Sequence, residues 1–539
     1  KPVPLPNVFS NTSPPFNTDG KTILSGGLRQ YEIKKIKLRK LGGSINIQFL
    51  FLIPAFSILI SILFFIPSCQ KNSSSGSGSS KNSNSDDTIS DDTISETCNS
   101  SLSIQASIQI PLLVIRVQYI NASFQSNAST WSKKIFSSDD GNLNHYFNET
   151  TYGKYQFKPA TESDGCSNDG IITVTMNENH PNTQKNSYAC YAEKAIRKAD
   201  EYIDFSQYDS DNNTVLNTDE LQVMFLVAGG ESASSINSPG GIWAMATSLW
   251  CDKNNDGKVT AIDGEYFVYL DDTYLLAPKN ADPPSNGYSQ FGERQGISAS
   301  NTWDATIGII AHELGHAYFD IPDLYCTSGD CQGIGLFGLM GAGSWGYKSS
   351  SEKSGATPVH MTAWTKQKIS VCSPMLADNN TYTLPAVYQT KQFLSSCPIY
   401  KVDNDTDDTE YFLIENRSDG GYDSGLRILL ENTKSYVVGN DYKGGILIWH
   451  FQDILSSCAL HNNCQNASVK LLDLEEANNA DLDSGGSSGR STHLFYLGNN
   501  STFDNTSNPS SKWNDNSSSG ISITNISVAG DDMTITVSK

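Results

Sequence analysis

At 539 residues the chain is long enough for two or more folded units, and 38% hydrophobic with 18% charged content suits a globular protein with polar loops. The 37 Lys and Arg stand against 58 Asp and Glu, a formal charge of −21. That balance excludes nucleic acid as a partner, because phosphates demand Lys and Arg, and it fits both solubility and calcium binding.

Residues 1–46 form an N-terminal extension that ends in a basic cluster, Lys34, Lys35, Lys37, Arg39 and Lys40; the part before Lys34 fits neither a signal nor a domain. Residues 47–69 follow as an uncharged apolar run closed by Ile66-Pro67-Ser68-Cys69. Basic region, apolar region and a small residue before a cleavage point describe a secretory signal. The last four residues resemble a bacterial lipobox, in which Cys69 becomes the lipidated first residue; Pro67 is an unusual occupant there. An uncleaved signal-anchor helix is the alternative, since about 20 apolar residues span a bilayer. Residues 70–100 read as a flexible Ser/Gly/Asn tether with a duplicated Asp-Asp-Thr-Ile-Ser. Either anchor puts the remainder outside the cytoplasm, at the cell surface or outer membrane, or secreted, and a monomer is expected.

Residues 101–375 open with the apolar run Ile108 to Tyr119, which reads as a buried strand. Strand and helix signals then mix, as in an α+β chain. Two acidic loops follow the spacing of a calcium site. The first offers Asp209, Asp211, Asn213, the Val215 carbonyl and Glu220, with Thr214 where a Gly would make the sharp turn. The second offers Asp252, Asn254, Asp256, the Lys258 carbonyl and Asp263, and keeps its Gly257.

The segment from Ala305 to Phe319 carries Ile307, Ile310, Ala311, Leu314 and Tyr318 at helical spacing and contains His312-Glu313-Leu314-Gly315-His316. Two His four residues apart share one helical face, here the face away from the apolar stripe. Together they can hold Zn2+ while Glu313 manages the proton of an activated water. Catalytic zinc takes a third protein ligand, and Asp323 and Asp320 are the nearest candidates. The long-spaced pattern with a third His is not met, because Phe319 stands at its Gly and Pro322 at its His. Further on, six Gly between Gly333 and Gly346 surround Met340, as in a Met-turn. From Thr381 short strands dominate, so residues 376–539 are expected to be β-rich.

The stretch from His312 to Tyr325 and the one from Gly333 to Gly346 resemble the immune inhibitor A (M6) family of secreted metalloendopeptidases. Tyr152 to Tyr155, Glu410 to Arg417 and Gly445 to His450 resemble other stretches of that family. The resemblance runs from about Ile108 to near the C-terminus. It implies a zincin, metzincin-like fold that cleaves protein or peptide substrates. It further implies that His312 and His316 ligate zinc, Glu313 is the general base, Met340 forms the Met-turn and Asp323 is the third ligand. This chain has one residue more between His316 and the Pro322-Asp323 pair than the family pattern, so Asp320 or a distant Glu stays open as third ligand. Tyr347 and His360 are candidates to stabilise the oxyanion.

Ten of the 11 Cys remain beside Cys69 and can pair in an exported protein. Cys326/Cys331, Cys458/Cys464, Cys372/Cys397 and Cys166/Cys190 are the expected pairs. Two rival functions remain. A catalytically inactive, calcium-dependent cell-surface binding protein on the same fold would have no use for the intact His-Glu motif. A serine hydrolase rests only on Gly485-Gly486-Ser487-Ser488-Gly489, which lacks the flanking strand and helix of a nucleophile elbow.

Overall fold

The structure is a computed structural model that describes residues 108–539 apart from 185–187, 250, 252, 254–267, 278–286, 391–395, 430–441, 455–463, 467 and 479–480. The anchor segment with Cys69, the tether, Cys458 and the second acidic loop (Asp252, Asn254, Asp256, Lys258, Asp263) lie outside the described residues. Among those described, no helix is long and apolar enough to cross a membrane.

The central sheet is built on β1 (Ile108–Tyr119), which pairs in parallel with β2 (Tyr155–Pro159) and β3 (Ile171–Met176) along one edge. A short strand β4 (Val215–Asn217) precedes β5 (Gln222–Glu231), which pairs in parallel with the other edge of β1. β6 (Gly241–Ile242) adds to β5. β7 (Met245–Thr247) runs antiparallel against β10 (Tyr288–Ser298), which is itself parallel to β5; β11 (Asn301–Asp304) closes the edge antiparallel to β10. β4, β8 (Val268–Leu270) and β9 (Thr273–Ala277) make a small separate sheet.

A sheet this parallel must be covered on both faces, and the period of two in β1 does the sorting. Ile110, Leu112 and Val114 enter one core, and Leu113, Ile115 and Val117 the other. The first face is covered by α1 (Ala128–Phe136), α2 (Leu143–Thr150) and α4 (Ile307–Ala317), the second by α3 (Ala189–Ala199). The chain is therefore mixed, with few helices and several sheets.

After α5 (Ala363–Lys368) strands take over. β12 (Ser373–Leu376), β14 (Ser396–Asp403), β15 (Glu410–Arg417), β16 (Gly445–Gln452) and β17 (Leu472–Leu474) form a second sheet; β13 (Asn380–Pro385), β18 (Ser522–Thr524) and β19 (Asp532–Ser538) form a third. Alternation again divides the side chains. Phe412, Ile414, Ile446 and Ile448 pack toward the third sheet, whereas Leu413, Leu447 and Trp449 join the core that holds α4. One hydrophobic core thus runs from β1 through α4 to β16.

Cys326 bonds to Cys331 and Cys372 to Cys397. The Cys166/Cys190 expectation is corrected. Cys190, in the first turn of α3, bonds to Cys251 with their Cα atoms 4.6 Å apart. The loop after β7 returns over that helix, and a 61-residue separation hid the pair from sequence spacing.

Candidate metal centre

α4 begins where the sheet hands over to it. The backbone N–H and hydroxyl of Thr306 both donate to Gln295 on β10, at 3.0 Å each. Nearly every position of the helix is buried, Glu313 included, while His312 and His316 are intermediate. The two Gly inside the helix have packing reasons. A Cβ on Gly315 would lie 2.4 Å from the Met340 sulfur, so the bare helix face lets Met340 seat directly against α4.

Beyond α4 the chain turns back. Asp320 takes a left-handed φ of 53° two residues before Pro322. Asp320 is exposed, and Asp323 is 5% exposed and faces the helix. Its Oδ1 lies 3.1 Å from His312 Nε2 and 3.2 Å from His316 Nε2, and the two Nε2 atoms are 3.2 Å apart. These three donor atoms form a nearly equilateral triangle. A tetrahedral zinc with bonds of about 2.0–2.1 Å has ligand atoms separated by roughly 3.3 Å, so the triangle fits that ion.

The protons point the same way. His312 Nδ1 lies 3.0 Å from the Leu339 carbonyl and His316 Nδ1 lies 2.6 Å from the Ile321 carbonyl. A carbonyl only accepts, so both Nδ1 atoms donate and both Nε2 atoms present lone pairs to the centre of the triangle. Burial works against the Asp323 carboxylate, and protonated His316 and His312 rings would outweigh it and hold the group well below the usual carboxylate range; with both rings neutral, a cation in the triangle takes that role. Glu313 is the reverse case. Burial pushes its carboxyl up to about 8, and Asp323 and Glu231 add to the rise, while the Ala246 N–H, which donates to Glu313, works against it. Glu231, pushed up to about 7 by burial, accepts from the N–H groups of Ala233, Gly292 and Ala244 and so ties down the segment leading to Ala246.

Sequence reading missed Tyr325. Its ring stacks on His312 with centroids 6.4 Å apart, and its hydroxyl hydrogen-bonds Asp323. The Pro-Asp-x-Tyr context was the only signal. Ala246 and Glu231 gave none, since they reach Glu313 through the sheet. His360 is fully buried with Nε2 3.0 Å from Glu149, so it is not placed to stabilise an oxyanion; Tyr347 is half-buried. Ser487 is buried in a loop with its hydroxyl engaged by the Gly489 N–H at 3.2 Å, and no elbow forms there.

Two further clusters gather possible ligand atoms within 4.8 Å of one another: Asp209, Asp211 and Glu220, and Glu476, Asp481 and His493. In the first, Thr214 takes φ 66° at the position where a Gly normally turns such a loop. Asp209 accepts from the N–H groups of Asn213 and Thr214, Asn213 accepts from the Val215 N–H, and Glu220 accepts from the Ser210 N–H.

Residues 294–371 match the family model of the immune inhibitor A peptidase M6, catalytic domain. That span includes α4, Asp323 and Met340, and the match supports a peptidase of the M6 family, whose members are generally zinc-dependent and typically extracellular. No curated protein matches the chain. Among solved structures, wild-type OgpA from Akkermansia muciniphila aligns at 10% identity over 66% of this chain and 86% of that one, with a TM-score of 0.25. A likeness at that score carries no argument about fold or function.

Proposed function

We propose that this M6-family peptidase is a zinc-dependent endopeptidase with a metzincin-like site, acting outside the cytoplasm on protein or peptide substrates. The observation that carries the reading is the 3.1–3.2 Å triangle of His312, His316 and Asp323 with both Nδ1 protons directed away from it. Zinc, when bound there, acidifies a water and polarises the scissile carbonyl. Glu313 follows His312 on the same helix, buried and pushed up toward neutral pH, which suits a group that takes a proton from water and returns it to the leaving amine. The Ala246 N–H holds that carboxylate in one orientation during the exchange. Met340, packed against α4 at Gly315, takes the place of the Met-turn in this reading. Calcium at Asp209, Asp211, Asn213, Val215 and Glu220 is part of the same proposal, supported by the clustering of the carboxylates and the Thr214 turn. Tethering through Cys69 or the 47–69 segment is proposed from the sequence.

Glu313→Gln separates this reading from an inactive binding protein. The variant keeps one zinc per chain and loses casein cleavage by about 10²–10⁴-fold. Cleavage at the parent rate would remove Glu313 from the mechanism, and absence of chelator-sensitive cleavage in the parent chain would remove the peptidase reading itself.

A further inference from the structure

Far from the zinc motif in sequence, the end of β15 carries a guanidinium that is completely buried. Arg417 Nη1 donates to Asp423 Oδ1 at 2.7 Å. Its Nη2 reaches the Met361 carbonyl at 3.0 Å, Glu415 Oε1 at 3.1 Å and the Phe337 carbonyl at 3.4 Å. Glu415 also accepts from Trp449 Nε1 at 2.9 Å and stands 3.8 Å from Lys366, whose ammonium donates to the same Met361 carbonyl at 2.9 Å. All four charged side chains are 0% exposed. Two cations and two anions leave the cluster neutral. Buried ion pairs of this kind are weak sources of net stability, because desolvation cancels much of their attraction. Their value lies in fixing one arrangement of the backbone around them.

The arrangement here is specific. Phe337 and Met361 are the two ends of the chain segment that carries Met340, and one nitrogen of Arg417 holds both their carbonyls. Two residues past Phe337, the Leu339 carbonyl takes the His312 Nδ1 proton. The next residue, Met340, seats its sulfur beneath Gly315 and accepts with its carbonyl from the Leu324 N–H at 2.9 Å, next to Asp323. Asp423, the partner of Nη1, accepts from the His360 N–H at 3.1 Å and so fixes the same segment at its far end.

We infer that Arg417 is a positioning residue for the zinc centre: it closes the base of the 337–361 segment and thereby sets the Leu339 carbonyl that orients His312. The functional unit therefore extends past the 294–371 family match to β15. The inference rests on the proposed zinc site and deepens it.

The test uses the full chain with Arg417→Lys, which keeps the charge but lacks the fork that spans two carbonyls. The variant is expected to fold and to bind zinc up to about 10-fold more weakly, at or below the low end of what losing a direct outer partner of a metal ligand costs. Its loss of cleavage at saturating zinc should fall on kcat with KM unchanged, and the visible spectrum of the cobalt-substituted protein should shift. The control is Val537→Ala in the third sheet, which lowers the melting temperature without touching this segment and should leave zinc affinity as in the parent. Parent-like zinc affinity in Arg417→Lys would overturn the inference, as would an equal loss in Val537→Ala. Should Arg417→Lys fail to fold, Arg417→Met combined with Asp423→Asn decides, since it removes the nitrogen that holds both carbonyls and keeps the buried charges balanced: weaker zinc binding supports the role, and parent-like binding rejects it. A parent chain that binds no zinc at all would instead sink the proposed zinc site, which is a separate outcome.

Discussion

Among the described residues, two clusters set a histidine among several possible ligand atoms within 4.8 Å of one another, and their ring protons are arranged in opposite ways. At α4, His312 and His316 each give their Nδ1 proton to a backbone carbonyl and turn lone pairs toward Asp323. At the other cluster, His493 Nδ1 faces the Arg490 backbone N–H at 3.4 Å and therefore accepts. Its proton sits on Nε2 and is donated to Asp481 at 2.6 Å. The remaining oxygen of Asp481 is taken by Arg490 Nε at 2.5 Å, and burial pushes the Glu476 carboxyl up to about 8. The second cluster already has its cation and its proton. Donor type and proximity are shared by the two; the group facing Nδ1 separates them.

The sharpest way to break that contrast is to remove one histidine from each. His312→Ala should abolish zinc binding and cleavage, a larger loss than the roughly 10–100-fold that follows loss of an outer partner. His493→Ala should lower thermal stability and leave one zinc per chain. Two zinc ions in the parent protein, falling to one in His493→Ala, would show that the second cluster binds metal after all.

A smaller effect probes the layer around the first cluster. Tyr325→Phe removes the hydroxyl that bonds Asp323 and keeps the ring on His312. Zinc affinity should fall about tenfold. Arg490→Met removes the corresponding partner of Asp481 and should leave zinc affinity unchanged. If both variants bind zinc like the parent, Asp323 is not held by Tyr325 in any way that matters to the ion.

How much of this was legible beforehand follows from the range of the interactions. The helix, its His pair and the Met340 loop could be read because each is set by local spacing: i,i+4 on one face, and Gly where the backbone must pack closely. The approach of Asp323 to the His pair follows from its Pro-Asp-x-Tyr context, whereas the left-handed turn at Asp320 left no mark in the sequence. The parallel character of the central sheet was not legible, since a run such as Ile108 to Tyr119 shows burial but not which strands lie beside it. Ala246, Glu231 and Arg417 reach the site only through strand register and a shared core, and the Cys190–Cys251 bond depends on how a loop returns over α3. Such contacts leave no periodicity along the chain.

Another buried histidine sharpens the rule about ring protons at the low end of the scale. His450 on β16 has carboxylates at both nitrogens, Glu475 at 3.1 Å from Nδ1 and Glu410 at 2.8 Å from Nε2. Burial opposes a charged ring, but the hydrogen bonds and charges of Glu410 and Glu475 outweigh it and hold the group up at about 9. With both nitrogens donating, the ring is a cation with no lone pair for a metal. Because the folded value lies above the unfolded value of about 6.5, the stabilisation is complete below pH 6.5 and is lost as pH rises through 9. The shift sets a ceiling of about 3 kcal/mol, and burial of Glu475, whose carboxyl is itself pushed up, takes back part of it. Urea unfolding from pH 6 to 10 should therefore show the parent losing about 1–3 kcal/mol across that window relative to His450→Gln. Parallel curves for the two proteins would mean that the ring is neutral in the fold, and that carboxylates on both nitrogens do not suffice to fix the charge of a buried histidine in this chain.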